Sequence, residues 1–73
     1  MLAGKRFRLK TTVQAMENVK GQRFARTIPT GTILEVVSET VNEGDRMVDV
    51  RWNHRRATLF EVDLSASGTE ITD

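Results

Sequence analysis

Hydrophobic and polar positions alternate along the first part of the chain. From Lys5 to Val13, the residues Phe7, Leu9, Thr11 and Val13 fall on one side, and Arg6, Arg8, Lys10 and Thr12 on the other. A period of two predicts a half-buried strand. The stretch from Gln14 to Gly21 loses that clarity. Val13, Met16 and Val19 have the spacing of a helical turn, but so short a segment ending in glycine cannot hold an isolated helix. A long loop is expected there. Gln22 to Ile28 reads as a short extended segment with Phe24 as its inward anchor. Pro29-Thr-Gly-Thr32 is a turn, because proline presets φ and Gly31 reaches conformations closed to other residues.

The second clear strand runs from Thr32 to Val41, with Leu34 and Val36 on one side and Glu35 and Glu39 on the other. Ile33 and Val37 share the glutamate side, which gives this strand a second apolar face. The loop Asn42-Glu-Gly-Asp45 leads into Met47–Trp52, where Val48, Val50 and Trp52 alternate with Met47, Asp49 and Arg51. Asn53-His54 suits a two-residue hairpin turn, since asparagine tolerates left-handed φ. Arg55 to Phe60 returns as the partner strand. Glu61-Val-Asp-Leu64 reads as a single 3₁₀ turn that brings Leu64 back to the core, and the small polar residues from Ser65 to Asp73 are expected to fray. The pattern predicts an all-β fold, a small five-stranded antiparallel barrel with one 3₁₀ turn near its C-terminus. A single domain over residues 1–66 and a flexible tail over 67–73 are its expected limits.

The spacing Pro29-x-Gly-Thr-x-Leu-x-Val36, then Val48-x-Val-x-Trp52, a short hairpin, and Leu59-Phe60-x-Val-x-Leu64 resembles that of SH3-like small barrels. Over residues 5–66 the resemblance implies a long first loop, a diverging turn at Pro29–Thr32, and a 3₁₀ turn before the last strand. SH3-like barrels include peptide binders, nucleic-acid-binding modules and subunit-docking domains, so the fold by itself selects no function. Recognition of polyproline is disfavoured. Such grooves are lined by several aromatic residues, whereas this chain has no tyrosine and one tryptophan, Trp52, at a core position.

Length and cysteine content narrow the means of stabilisation. A chain of 73 residues without cysteine has a thin core and no disulfide or thiolate zinc site. With one histidine, no metal or other cofactor is expected. Close packing or self-association must supply the stability. The N-terminal residues intersperse charge with apolar side chains, unlike a signal peptide or membrane anchor, and the absence of cysteine fits a reducing compartment. A cytoplasmic protein with no membrane partner is the expectation.

Net charge is only +1, but the charges are segregated. Residues 1–26 carry seven Lys/Arg against the single acid Glu17, whereas residues 27–50 carry Arg46 against five acids. Strand pairing converts such blocks into faces. Arg6, Arg8 and Lys10 project from one side of the first strand at intervals of about 6.6–6.8 Å. Arg51, His54, Arg55 and Arg56 surround the predicted hairpin turn. These seven residues form the candidate face for nucleic acid or another partner. Strand acids Glu35, Glu39 and Asp49 are placed to neutralise them, and Phe7, Phe24, Phe60 and Trp52 all read as core, leaving no aromatic to stack on a base. Ile33, Val37 and Met47 form a candidate self-association patch.

Catalytic chemistry finds no constellation. His54 lies in a turn without an acidic or nucleophilic partner, Ser38, Ser65 and Ser67 have no base at a recognisable spacing, and Asp45 and Asp49 do not make an acid/base pair on a strand. The sequence therefore points to a non-enzymatic interaction module, with a protein partner or a second copy as first reading. A nucleic-acid-binding SH3-like barrel is the alternative.

Overall fold

Three two-residue turns organise the sheet. Lys20-Gly21, Glu43-Gly44 and Asn53-His54 have positive φ at both positions, 52° and 80°, 52° and 86°, and 47° and 63°. That pairing is what type I′ hairpin loops require, because its twist matches the twist of the flanking strands. The expected Asn53-His54 turn is present. The other two lie in stretches that the hydrophobic pattern assigned to longer loops.

The computed structural model describes residues 1–72. Its strands are β1 (Arg6–Leu9), β2 (Val13–Val19), β3 (Gln22–Ile28), β4 (Ile33–Asn42), β5 (Asp45–Trp52) and β6 (Arg55–Phe60). A helix α1 (Glu61–Ser67) and a last strand β7 (Gly68–Ile71) follow. All pairings are antiparallel, in the order β3-β2-β6-β5-β4-β1-β7. The protein is mostly β, as expected. The strand count is seven rather than five, and the sheet does not close, since β3 and β7 lie at its two ends.

Alternation sorts the side chains onto two faces. Phe7, Leu9, Val13, Ala15, Leu34, Val36, Val48, Val50, Trp52, Ala57 and Leu59 form one buried cluster, completed by Ile28 and Leu64. Residues from both end regions of the sheet share this cluster, so the sheet curls around it. A bulge in β4 assists the bend: Val36 pairs with Val50 and Ser38 with Asp49, leaving Val37 as the extra residue. Bulges of this kind kink a strand and increase its twist.

The loop expected over Gln14–Gly21 is instead strand β2 and the start of a tight turn. Its inward residues are Val13, Ala15 and Glu17. A small residue and a charged one at inward positions break the hydrophobic alternation that marks a strand. Phe24, expected to point into the core, is 40% exposed, because β3 is an end strand with β2 as its only neighbour. Phe60, also assigned to the core, is 44% exposed and lies on the opposite face from Leu59.

The expected 3₁₀ turn is a seven-residue α-helix. Acidic Glu61 and Asp63 occupy its first turn, where they complement the helix dipole, and Leu64 is fully buried. The Gly68 N–H donates to the Leu64 carbonyl at the helix end. Residues 68–71, expected to fray, pair with β1 through Leu9↔Gly68, Arg8↔Thr69, Phe7↔Glu70 and Arg6↔Ile71. The last residue of the expected tail, at position 73, lies outside the described residues.

Gly68 makes this closure sterically strict. A Cβ there would sit 2.9 Å from the Leu64 carbonyl oxygen and 3.3 Å from the Phe7 Cβ. Gly68→Ala is therefore expected to destabilise the fold by about 1–3 kcal/mol, the usual cost of overpacking. Thermal unfolding followed by circular dichroism checks this; a frayed tail would tolerate the change with no shift in Tm.

Candidate functional site

The outer face of the sheet carries a row of arginines. Successive pairings Ile71↔Arg6, Arg6↔Glu35, Glu35↔Arg51 and Arg51↔Arg56 align these residues across β7, β1, β4, β5 and β6. On the far side, Met16 pairs with Thr58. That register sets Asn18 beside Arg56, and Asn18 in turn pairs with Arg23 of β3. Directly opposed residues share a face, so Arg6, Arg51, Arg56 and Arg23 lie in one line with Glu35 as the only acid among them. Neighbouring strands are about 4.8 Å apart, and the line crosses the whole sheet.

Of the three strand acids, only Glu35 forms an ion pair within this row. Glu35 pairs with Arg51, but Glu39 accepts from the Leu2 N–H at 2.7 Å. Asp49 accepts from two hydroxyls, Ser38 Oγ at 2.8 Å and Thr58 Oγ1 at 2.6 Å. Lys5 pairs with Glu70 and Arg46 with Glu61. Among the described residues, Arg8, Lys10, Lys20, Arg23 and Arg56 are left without an ion pair.

Beside the row lies a groove. Its largest hollow, about 320 Å³, has Met16, Met47 and Thr58 as its floor, with Asn18 and Arg23 on one wall and Thr40, Val41 and Asn42 on the other. A second hollow of about 170 Å³ continues past Ala25 to Phe60. A third, about 190 Å³, is lined by Asn18, Asp49, Arg56 and Thr58. All three share Met16 and Thr58, so they form one continuous depression between the β2–β3 and β4–β5 hairpins.

The seven residues of the predicted basic face divide. Arg6, Arg51 and Arg56 join the row. Arg8 faces the same way, two residues further along β1, opposite Ile33 and Thr69. Lys10 lies just beyond β1 and lines a separate hollow with Arg8 near β7. His54 is exposed in its turn. Arg55 points to the other face, opposite Trp52. The proposed self-association patch is not assembled either. Ile33 stands opposite Arg8 at one end of β4, Met47 stands opposite Thr40 at the other, and Val37 is taken up by the bulge. Arg23, Asn18, Met16 and Thr58 belong to the site but carry no signal in the linear pattern, because β2 reads as loop.

Arg55 does a different job. With Arg26 it encloses Glu17, which is 8% exposed. Arg55 Nη2 and Arg26 Nε reach Glu17 Oε1 at 3.0 and 2.8 Å, and Arg55 Nε reaches Oε2 at 3.2 Å. Each guanidinium also lies over a ring, Arg55 over Trp52 at 5.8 Å and Arg26 over Phe24 at 5.7 Å, within reach of a cation–π contact. The Arg55 hydrogen bond, against the opposing effect of desolvation, holds the Glu17 carboxyl below its ordinary value of 4.5. Glu17 in turn raises the Arg55 guanidinium above its usual range.

Among the described residues no group of His, Cys, Asp and Glu could hold a metal ion, and no helix is long and apolar enough to cross a membrane. No protein-family model, curated protein or solved structure matches the chain.

A depressed carboxyl stabilises the fold in the pH range where it is ionised and bound. The contribution of Glu17 is therefore complete above its unfolded value of 4.5 and is lost as pH falls through the lower folded value. Glu17→Gln is expected to lower Tm at pH 7, and the gap from the parent protein should close on acidification below that value. A gap that stays constant across the titration would contradict the assignment.

Proposed function

We propose that this protein is a non-enzymatic binding module that takes single-stranded nucleic acid across the outer face of its sheet. The observation that carries the reading is the alignment of Arg23, Arg51 and Arg56 in one cross-strand row beside a groove. Phosphates follow the row, and bases lie over the groove floor. An arginine-lined track beside exposed apolar and aromatic side chains is the usual composition of a single-strand binding surface. Phe60, turned outward next to Met16 and Met47, supplies the aromatic surface. Methionine floors adapt to flat rings and make favourable sulfur–aromatic contacts. A net charge of +1 is compatible with this, because the row is local and Glu35 is the one acid within it.

The SH3-like resemblance belongs to the same proposal. The order β7-β1-β4-β5-β6 supports it: a meander after the Pro29–Thr32 turn, then a helical turn, then a last strand beside the first. The hairpin of β2 and β3 occupies the place of the long first loop. Self-association, the reading that the hydrophobic pattern favours, has less to rest on once Ile33 and Met47 stand at opposite ends of β4.

Fluorescence anisotropy with labelled oligouridylate of about 12 nucleotides, a typical length for one small barrel, tests the reading. Three phosphate contacts predict an affinity loss of about 20-fold between about 50 and 200 mM salt. Arg23→Glu with Arg56→Glu should abolish binding, whereas Lys5→Glu, off the row, should leave it nearly unchanged. Absence of binding at the lower salt concentration overturns the proposal. So does formation of a stable dimer that buries Met16, Met47 and Phe60, which would assign the groove to a second copy.

A further inference from the structure

We infer that the hollow at Asp49 is a guanine-reading pocket within this groove; the inference rests on the single-strand binding reading and deepens it. Asp49 is a half-buried carboxylate in the groove beside the arginine row. It has no cationic partner among the described residues, and its orientation is fixed from both sides, by Ser38 on β4 and Thr58 on β6. Each hydroxyl uses one acceptor direction of one oxygen. A carboxylate offers about four such directions, so each oxygen retains one, and Asp49 lines a hollow of about 190 Å³ with Asn18 and Arg56.

The chemistry of the hollow selects its occupant. A carboxylate repels phosphate, so the group that enters must be a base rather than the backbone. It accepts hydrogen bonds only, so the base must present donors. Guanine has two adjacent donors on its Watson–Crick edge, N1–H and the N2 amino group, which match the two oxygens of a carboxylate. Adenine and cytosine each offer one exocyclic amino group, and uracil offers a single N–H. Arg56, in the adjacent position on β6, is placed for the guanine O6 or for the phosphate that precedes it, and Met16 provides an apolar bed for the ring. Recognition of splayed-out bases by their Watson–Crick edges is how single strands are read in sequence-specific complexes.

The test uses oligouridylates of about 12 nucleotides with one central guanosine, inosine or adenosine, measured against the intact protein at low salt. Guanosine should bind about ten-fold tighter than adenosine, the scale of one bidentate base contact. Inosine, which keeps N1–H and lacks the amino group, should fall between them. Asp49→Asn should level the three. The inosine comparison requires no variant, so the inference stays testable if Asp49→Asn unfolds. Equal affinities for the three oligonucleotides, or a guanosine preference that survives in Asp49→Asn, overturns the pocket and leaves the binding surface standing. Failure to bind any of them overturns both.

Discussion

The β2–β3 hairpin is joined to the rest of the sheet along one boundary, between β2 and β6, and Glu17 is the polar group that fastens it. Its carboxylate receives Arg26 from within the hairpin and Arg55 from β6. Backbone pairing across the same boundary centres on Met16 and Thr58, so the side-chain contacts matter more here than between strands paired along their length. Val13 and Ala15 bury beside Glu17 and add apolar contact on the same face. An acid that is nearly buried is costly unless paired and hydrogen-bonded. Two arginines, each also resting on an aromatic ring, meet that requirement, and the geometry is satisfied only when β2 lies against β6.

The position of the hairpin in turn makes the candidate site. Arg23 and Asn18 enter the arginine row only because β2 and β3 extend the sheet past β6. The groove exists because two hairpins rise on either side of a floor formed by Met16, Met47 and Thr58. A stabilising cluster on the inner rim thus positions a binding surface on the outer face. Alternation along β6 separates the two tasks by one residue: Arg55 turns inward to Glu17, and Arg56 turns outward to the row.

Much of the architecture is legible in the linear pattern. The strands β1, β4 and β5 show a period of two and β6 follows as the hairpin partner of β5, although the bulge at Val37 sets Glu39, read as sharing the side of Glu35, opposite the buried Val48 on the other face. The Asn53-His54 turn follows from the left-handed tolerance of asparagine. Where the pattern fails, there is a physical cause. At β2 an inward Glu17 imitates an exposed position, because the arginines that neutralise it come from other strands. At Phe24 and Phe60 an aromatic residue imitates a core position, because hydrophobicity does not say whether a neighbouring element covers it. At β7 a run of small and polar residues imitates a tail, because its value lies in backbone pairing to β1 and in the space that Gly68 leaves for Leu64 and Phe7.

By itself, the sequence determined that the segments of β1, β3, β4, β5 and β6 are extended, that Pro29–Thr32 and Asn53-His54 are turns, that cysteine chemistry has no part, and that positive charge gathers in the first third of the chain and around residues 51–56. These are local properties, set by side-chain alternation, by backbone preferences and by composition. Tertiary structure alone decided which charges stand together. Register placed Arg51, Arg56 and Arg23 in one row, brought Arg55 to Glu17, and parted Ile33 from Met47. It did so because pairing across a sheet depends on which strands meet and at what offset: the bulge at Val37 shifts the offset of β4 on β5 and reverses the alternation beyond it, and the ion pairs at Glu17 tie β2 to β6.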